Sequence, residues 1–116
     1  MSDFKRKVFE KLKGRCAYCG NEITIDNMTV DHKKPKSKGG SLSFSNCVPS
    51  CKRCNELKAD GNIEDMKKKI EKTIKSLSKN KDFQILKKYG FVKLEKEPIV
   101  FYFETCKENK IWIKKM

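Results

Sequence analysis

Four cysteines fall in two pairs, Cys16-x-x-Cys19 and Cys51-x-x-Cys54, with 31 residues between them. A CxxC turn lets two sulfurs reach one ion, and two such turns complete a tetrahedron. Four protein thiolates leave no open coordination position, so a zinc ion held there is structural and not catalytic. Between the pairs stands the chain's single histidine, His32, directly after Asp31 and followed by a lysine- and glycine-rich run, KKPKSKGG. Farther along come Asn46 and, next to the last paired cysteine, Asn55. Carboxylate and amide oxygens suit a hard dication such as Mg²⁺, which keeps several waters and takes phosphate oxygens. An imidazole, with an ordinary pKa of about 6.5, can accept a proton from attacking water near neutral pH. Together these groups are the minimum for metal-assisted hydrolysis of a phosphodiester.

The elements that must position these residues follow from periodicity and breakers. Ser2 can cap a short helix whose Phe4, Val8 and Leu12 recur every fourth residue, with Gly14 as its stop. ITIDNMTV at 23–30 predicts a hairpin of two short strands around Asp26-Asn27. Pro35 and the glycines end the second strand and open a loop to about Phe44. NCVPS at 46–50 is a brief extended segment, after which Ser50 can cap a helix over CKRCNELK. Asp60-Gly61-Asn62 breaks the chain, and Asn62 caps a longer helix with the stripe Ile63, Met66, Ile70, Ile74 and Leu77. A further helical piece runs through Phe83, Ile85, Leu86 and Tyr89 to Gly90. IVFYFET and IWIKKM, separated by CKENK, read as a terminal hairpin.

Two geometric conditions attach to the proposed chemistry. Adjacent residues on a regular strand face opposite sides, so Asp31 and His32 share a site only where the strand bends or ends. Pro35 and the glycines predict that it ends nearby. Asn55 lies about 100° round a helix from Cys54. The helix can thus offer Cys54 to zinc and Asn55 to a second, separate metal.

The totals point to a polyanion as partner. Basic residues number 28 and acidic residues 15, a net charge of +13. The excess is spread along the chain, with 13 basic against 7 acidic residues in 1–61 and 15 against 8 in 62–116. DNA is the simplest such partner. Lys33, Lys34, Lys36 and Lys38 beside the histidine, with Lys52, Arg53 and Lys58, are candidate phosphate contacts, which confer affinity without sequence specificity. The bland alternative is a solvated lysine surface. No apolar run reaches the length of a membrane span. The N-terminal segment lacks a signal-peptide core, so a reducing cytoplasmic setting is expected. In that setting paired cysteines read as metal ligands before disulfides. Cys47 reads as a small core residue and Cys106 as the start of the tail turn. Phe101, Tyr102, Phe103 and Trp112 fit a core or a protein interface, with a homodimer or another protein as partner, better than base stacking.

The constellation CAYC…VDHKKPKSKGG…N…CKRCN…K resembles the HNH endonuclease family, in the branch whose ββα-metal motif is braced by a four-cysteine zinc site. The resemblance covers about residues 4–60 and rests on Asp31-His32, Pro35, Gly39-Gly40, Asn46, both CxxC pairs and Asn55. It implies an α+β fold in which a zinc-braced ββα-metal core, residues 1–61, carries a helical and β-hairpin extension, residues 62–116. It implies His32 as the general base, and Asp31 and Asn55 as ligands of a catalytic Mg²⁺ or Mn²⁺. Asn46 would tether the loop and orient His32. Asn55 stands where the family name implies a histidine, and asparagine is a known alternative there. The implied activity is endonucleolytic hydrolysis of DNA leaving 5′-phosphate and 3′-hydroxyl ends, in a restriction, homing or phage setting. Two rivals remain at this level: a non-catalytic zinc module that binds DNA, and a protein-interaction domain using the tail hairpin.

Overall fold

The computed structural model describes residues 3–94 and 98–106. Helix α1, Asp3–Lys11, buries Val8 and is followed by a tight turn in which Gly14 takes φ +78° and Gly14 N–H bonds Phe9 O at 3.2 Å. Strand β1, Met28–His32, pairs antiparallel with β2, Cys47–Cys51, in the register Val30 opposite Pro49 and His32 opposite Cys47. Helix α2, Lys52–Lys58, starts where β2 ends. Helix α3, Ile63–Ser78, and helix α4, Lys81–Lys88, complete the regular elements.

The ββα unit is therefore β1, β2 and α2, and its two strands come from either side of the glycine loop. The hairpin expected over 23–30 does not form. Thr24 and Asn27 close a turn on each other, Thr24 N–H bonding Asn27 Oδ1 at 2.9 Å and Asn27 N–H bonding Thr24 Oγ1 at 3.2 Å. Ile23 N–H goes instead to Gly14 O at 2.9 Å, and Glu22 bridges Arg15. A local side-chain turn thus satisfies the backbone that a first strand would have used.

Helix α2 also begins one residue later than expected. Cys51 is its N-cap, its sulfur accepting from Cys54 N–H at 3.4 Å, while the Ser50 hydroxyl donates to Cys51 O at 2.9 Å. Helix α3 starts as its sequence predicts. Asn62 Oδ1 accepts from Asp65 N–H at 2.9 Å and Asp65 Oδ2 from Asn62 N–H at 3.0 Å, a reciprocal capping box. The upper part of its stripe packs inward: Met66 is buried, with Ile63 and Ile70 beside it, whereas Ile74 and Leu77 stay largely exposed.

Two apolar clusters hold these pieces together. Cys16, Ala17, Tyr18, Val48, Met66 and Phe101 form one; Val8, Met28 and Cys47 form the other, so Cys47 is the core residue its sequence position suggests. The first half of the expected tail hairpin is helical over residues 102–106, with Glu104 closing the turn by accepting from Phe101 N–H at 2.7 Å. Its second half, IWIKKM with Trp112, and the Ser2 cap lie outside the described residues. Tyr102 N–H and Phe103 N–H bond Tyr18 O and Ala17 O at 3.1 and 2.8 Å, so this segment is clamped on the first CxxC turn. Among the described residues no helix is long and apolar enough to cross a membrane.

Candidate active site and metal centre

The four paired cysteines converge: all four sulfurs lie within 4.8 Å of one another, and all four thiols are free. Cys19 Sγ and Cys51 Sγ are 4.0 Å apart. A zinc tetrahedron with bonds of 2.3 Å has edges of about 3.8 Å, so the cluster fits the ion with little adjustment. Backbone donors already face the sulfurs. Tyr18 N–H and Cys51 N–H point at Cys16 Sγ at 3.4 and 3.3 Å. Burial would raise the Cys16 thiol, but these donors outweigh it and hold it below its ordinary value. Cys54 and Cys19 are pushed the other way, first by burial and then by neighbouring sulfurs. Metal-free, the cluster cannot carry four negative charges, and a bound dication removes that conflict. Two turns set this geometry: the knuckle at 16–20, closed by Gly20 N–H on Cys16 O at 3.0 Å with Gly20 at φ +77°, and the β2–α2 junction. Ala17 N–H on Pro49 O at 2.8 Å ties one to the other.

On the other side of α2 lies an open cleft of about 540 Å³, lined by Asp31, His32, Pro35, Lys36, Ser37, Asn55 and Asp60. Asp31 and His32 are adjacent yet both reach it, because β1 ends at His32. Asn55 comes from α2, one residue after the thiolate ligand Cys54 and on a different face. Its Nδ2 donates to Asp31 Oδ1 at 3.3 Å. With the carboxamide turned over, an amide oxygen and a carboxylate oxygen lie side by side, as a hard dication requires. The donor set therefore fits a magnesium-like ion.

Asp31 is held on three sides. The Tyr18 hydroxyl donates to Oδ2, the Lys58 ammonium lies 3.2 Å from the same oxygen, and Asn55 takes Oδ1. Burial, and then the Asp31 charge, push the Tyr18 phenol well above its ordinary range, so it stays a donor. Lys58 Nζ also donates to His32 O at 2.7 Å, fixing the backbone that carries the imidazole. Lys58, expected among the phosphate contacts, is thus corrected. It is 1% exposed and turned inward, because the buried carboxylate of Asp31 demands a counter-ion.

Asn46 does not line the cleft. Its Nδ2 donates to Lys34 O at 2.9 Å and Ser41 O at 2.7 Å, its Oδ1 accepts from Lys34 N–H at 3.0 Å, and its carbonyl accepts from Lys33 N–H at 2.9 Å. It spans the loop from both ends and braces the residues after His32. The glycines close that loop tightly: Gly39 takes φ +86°, and a Cβ on Gly40 would stand 1.7 Å from Lys34 O. Of the remaining candidates, Lys36 lines the cleft, and Lys34, Lys38, Lys52 and Arg53 are exposed but do not line it. Lys33 is half-buried, its ammonium 5.4 Å from the centre of the Phe103 ring.

Sequence reasoning did not reach Tyr18 or the inward role of Lys58. Tyr18 carries a weak signal, an aromatic residue inside a CxxC turn where small polar residues would suffice. Lys58 carries a better one, since it follows Asn55 by three residues on a helix and so shares its face.

Comparison with known proteins agrees with this arrangement. Residues 16–61 match the model of the HNH endonuclease family. This stretch holds the thiolate knuckle and the residues that line the cleft, and it is similar to HNH endonucleases. A CRISPR-associated endonuclease Cas9 of Corynebacterium diphtheriae is 43% identical over 47 residues, covering 40% of this chain and 4% of that protein. YoqL, a SPbeta prophage-derived protein of Bacillus subtilis whose name places it among HNH endonucleases, is 29% identical over 68 residues, covering 52% of this chain and 30% of its own length. The crystal structure of the Type II-C Cas9 enzyme from Actinomyces naeslundii superposes with a TM-score of 0.52 at 21% identity, over 82% of this chain and 12% of that one. The chain thus spans less than a third of each of these proteins.

Proposed function

We propose that the cleft hydrolyses DNA phosphodiester bonds, with His32 as general base and Asp31 and Asn55 holding a divalent ion, Mg²⁺ or Mn²⁺. The observation that carries this reading is the convergence of Asp31, His32 and Asn55 on one open cleft, within the stretch that matches the HNH family. The bound dication supplies charge neutralisation at the phosphate and stabilises the leaving 3′ oxygen. His32 takes the proton of the attacking water. Lys36, which lines the cleft, and the exposed Lys34, Lys38, Lys52 and Arg53 draw the phosphate backbone to the protein. The thiolate knuckle holds zinc and braces α2, on which Asn55 rides. The likeness to proteins named endonucleases, together with a net charge of +13, supports DNA as the substrate.

The test is conversion of supercoiled plasmid by the wild-type protein and by His32→Ala, each with Mg²⁺ or Mn²⁺ and with EDTA. Metal-dependent nicking or linearisation that vanishes in the variant is the expected result. A second reading, a zinc-braced DNA-binding module without catalysis, draws on one observation: Asp31 already has an internal cation in Lys58. Retardation of DNA by both proteins with no cleavage by either would establish that reading instead.

A further inference from the structure

We propose that Tyr18 is a positioning residue for the metal-binding carboxylate: its hydroxyl fixes Asp31 so that Oδ1 alone faces Asn55 and the cleft. Through Tyr18 the thiolate knuckle and the C-terminal segment then set the geometry of the second metal site. The inference rests on the reading of Asp31 as a metal ligand.

The two oxygens of Asp31 have different company. Oδ2 takes the Tyr18 hydroxyl and lies 3.2 Å from Lys58 Nζ; among the described residues Oδ1 hydrogen-bonds only the Asn55 carboxamide, at 3.3 Å. A dication approaching from the cleft therefore finds one oxygen committed and one presented. Tyr18 is well placed to keep that assignment fixed. It sits between two thiolates of the knuckle and is 4% exposed. Its carbonyl accepts from Tyr102 N–H at 3.1 Å. Its ring stands edge-on to Phe101 at 5.1 Å and to Phe103 at 6.1 Å. The aim of the hydroxyl is set from two directions, by the zinc turn behind it and by the aromatic pair beside it.

A buried tyrosine hydroxyl also needs a partner for its own sake, and a purely structural role for the Asp31 contact is the alternative to be tested. The two roles differ in what Tyr18→Phe changes. Phenylalanine keeps the ring, the packing and the knuckle backbone, and Lys58 still faces the carboxylate. If the hydroxyl only satisfies itself, the second metal site is untouched. If it positions Asp31, the freed carboxylate rotates and metal affinity falls, as groups supporting a ligand typically change affinity by about 10–100-fold.

The experiment measures Mn²⁺ binding by electron paramagnetic resonance and calorimetry on the full chain, with cobalt or zinc in the knuckle. Tyr18→Phe is expected to bind Mn²⁺ about tenfold more weakly or worse, with the cobalt–thiolate spectrum and one knuckle metal per chain retained. Wild-type Mn²⁺ affinity in a variant with an intact knuckle overturns the inference. Should Tyr18→Phe disturb the knuckle, Phe101→Leu decides, since it leaves the hydroxyl and removes the nearer of the two rings that stand edge-on to it. Weaker Mn²⁺ binding there with an intact cobalt spectrum supports the inference, and unchanged binding overturns it. Asp31→Asn separates the two levels. Loss of Mn²⁺ in that variant upholds the metal reading whatever Tyr18 does, whereas unchanged Mn²⁺ binding removes that reading and the inference with it.

Discussion

Lys58 Nζ lies 3.2 Å from Asp31 Oδ2, with the two side chains 1% and 8% exposed. An ion pair so far from water holds only because each partner compensates the other, and removal of one partner costs about 3–5 kcal/mol. Lys58→Met is therefore expected to lose stability of that order in metal-free protein, measured by urea unfolding. Mn²⁺ should return more stability to the variant than to the wild type, because a dication on Asp31 replaces the missing positive charge. An unchanged urea midpoint would mean that the pair contributes nothing, and equal effects of Mn²⁺ on both proteins would separate Lys58 from the metal site.

The loop after His32 is closed by backbone contact at Gly40. A Cβ there would stand 1.7 Å from Lys34 O, 2.6 Å from Lys34 C and 2.9 Å from Pro35 O, all main-chain atoms that cannot swing aside. Gly90 offers the contrast: nothing lies within 4 Å, and only its φ of +80° opposes a side chain. Gly90→Ala should cost about 1–2 kcal/mol and leave cleavage intact. Gly40→Ala should displace the loop and abolish cleavage, with amide resonances of residues 33–46 shifted. Comparable melting temperatures and activities for the two variants would refute the distinction.

What the sequence disclosed and what it hid divide along physical lines. Cys16, Cys19, Cys51 and Cys54 were legible because a four-sulfur cluster has few other uses, and Asn62 because a cap acts within three residues. The joint placement of Asp31, His32 and Asn55 was legible once β1 was seen to end near Pro35. The partner of β1 was not. Thr24–Asn27 has strand-like neighbours, but its side chains close a turn, and only the long-range pairing with Cys47–Cys51 settles the register. Phe101–Thr105 has strand-prone residues too, yet it folds as a helical turn because Glu104 caps it and the rings pack on Tyr18. Propensity yields there to tertiary contact. Lys58 was misplaced because charge composition counts a lysine without saying which way it points.

Asn46 makes three side-chain hydrogen bonds to the main chain, two to Lys34 and one to Ser41. At about 0.5–1.5 kcal/mol each, Asn46→Ala should destabilise the chain by roughly 2–3 kcal/mol, read from thermal or urea unfolding. Since Asn46 does not line the cleft, Mn²⁺ affinity should change much less than cleavage, which needs the braced loop to hold His32. A fall in metal affinity as large as the fall in cleavage would instead make Asn46 part of the metal site.

The thiolate cluster and the buried Cys47 make opposite predictions for the same substitution. Cys54 is one of four sulfurs within 4.8 Å, whereas Cys47 stands apart, packed with Val8 and Met28, its sulfur 3.8 Å from Leu42 O. Cys54→Ser should lose the cobalt–thiolate absorption of a four-sulfur site and bind zinc far more weakly. The knuckle carries Tyr18 and, through Ala17 and Pro49, one side of the sheet, so the loss should spread to the whole of residues 16–61. A strong chelator acting on the wild type should reproduce that state, seen as loss of dispersed amide resonances. Cys47→Ser should keep one zinc per chain and the full cobalt spectrum, with only the modest destabilisation of a hydroxyl in an apolar cluster. Retention of a four-sulfur cobalt spectrum by Cys54→Ser would mean that another thiol completes the site, and Cys106 would be the cysteine to substitute next.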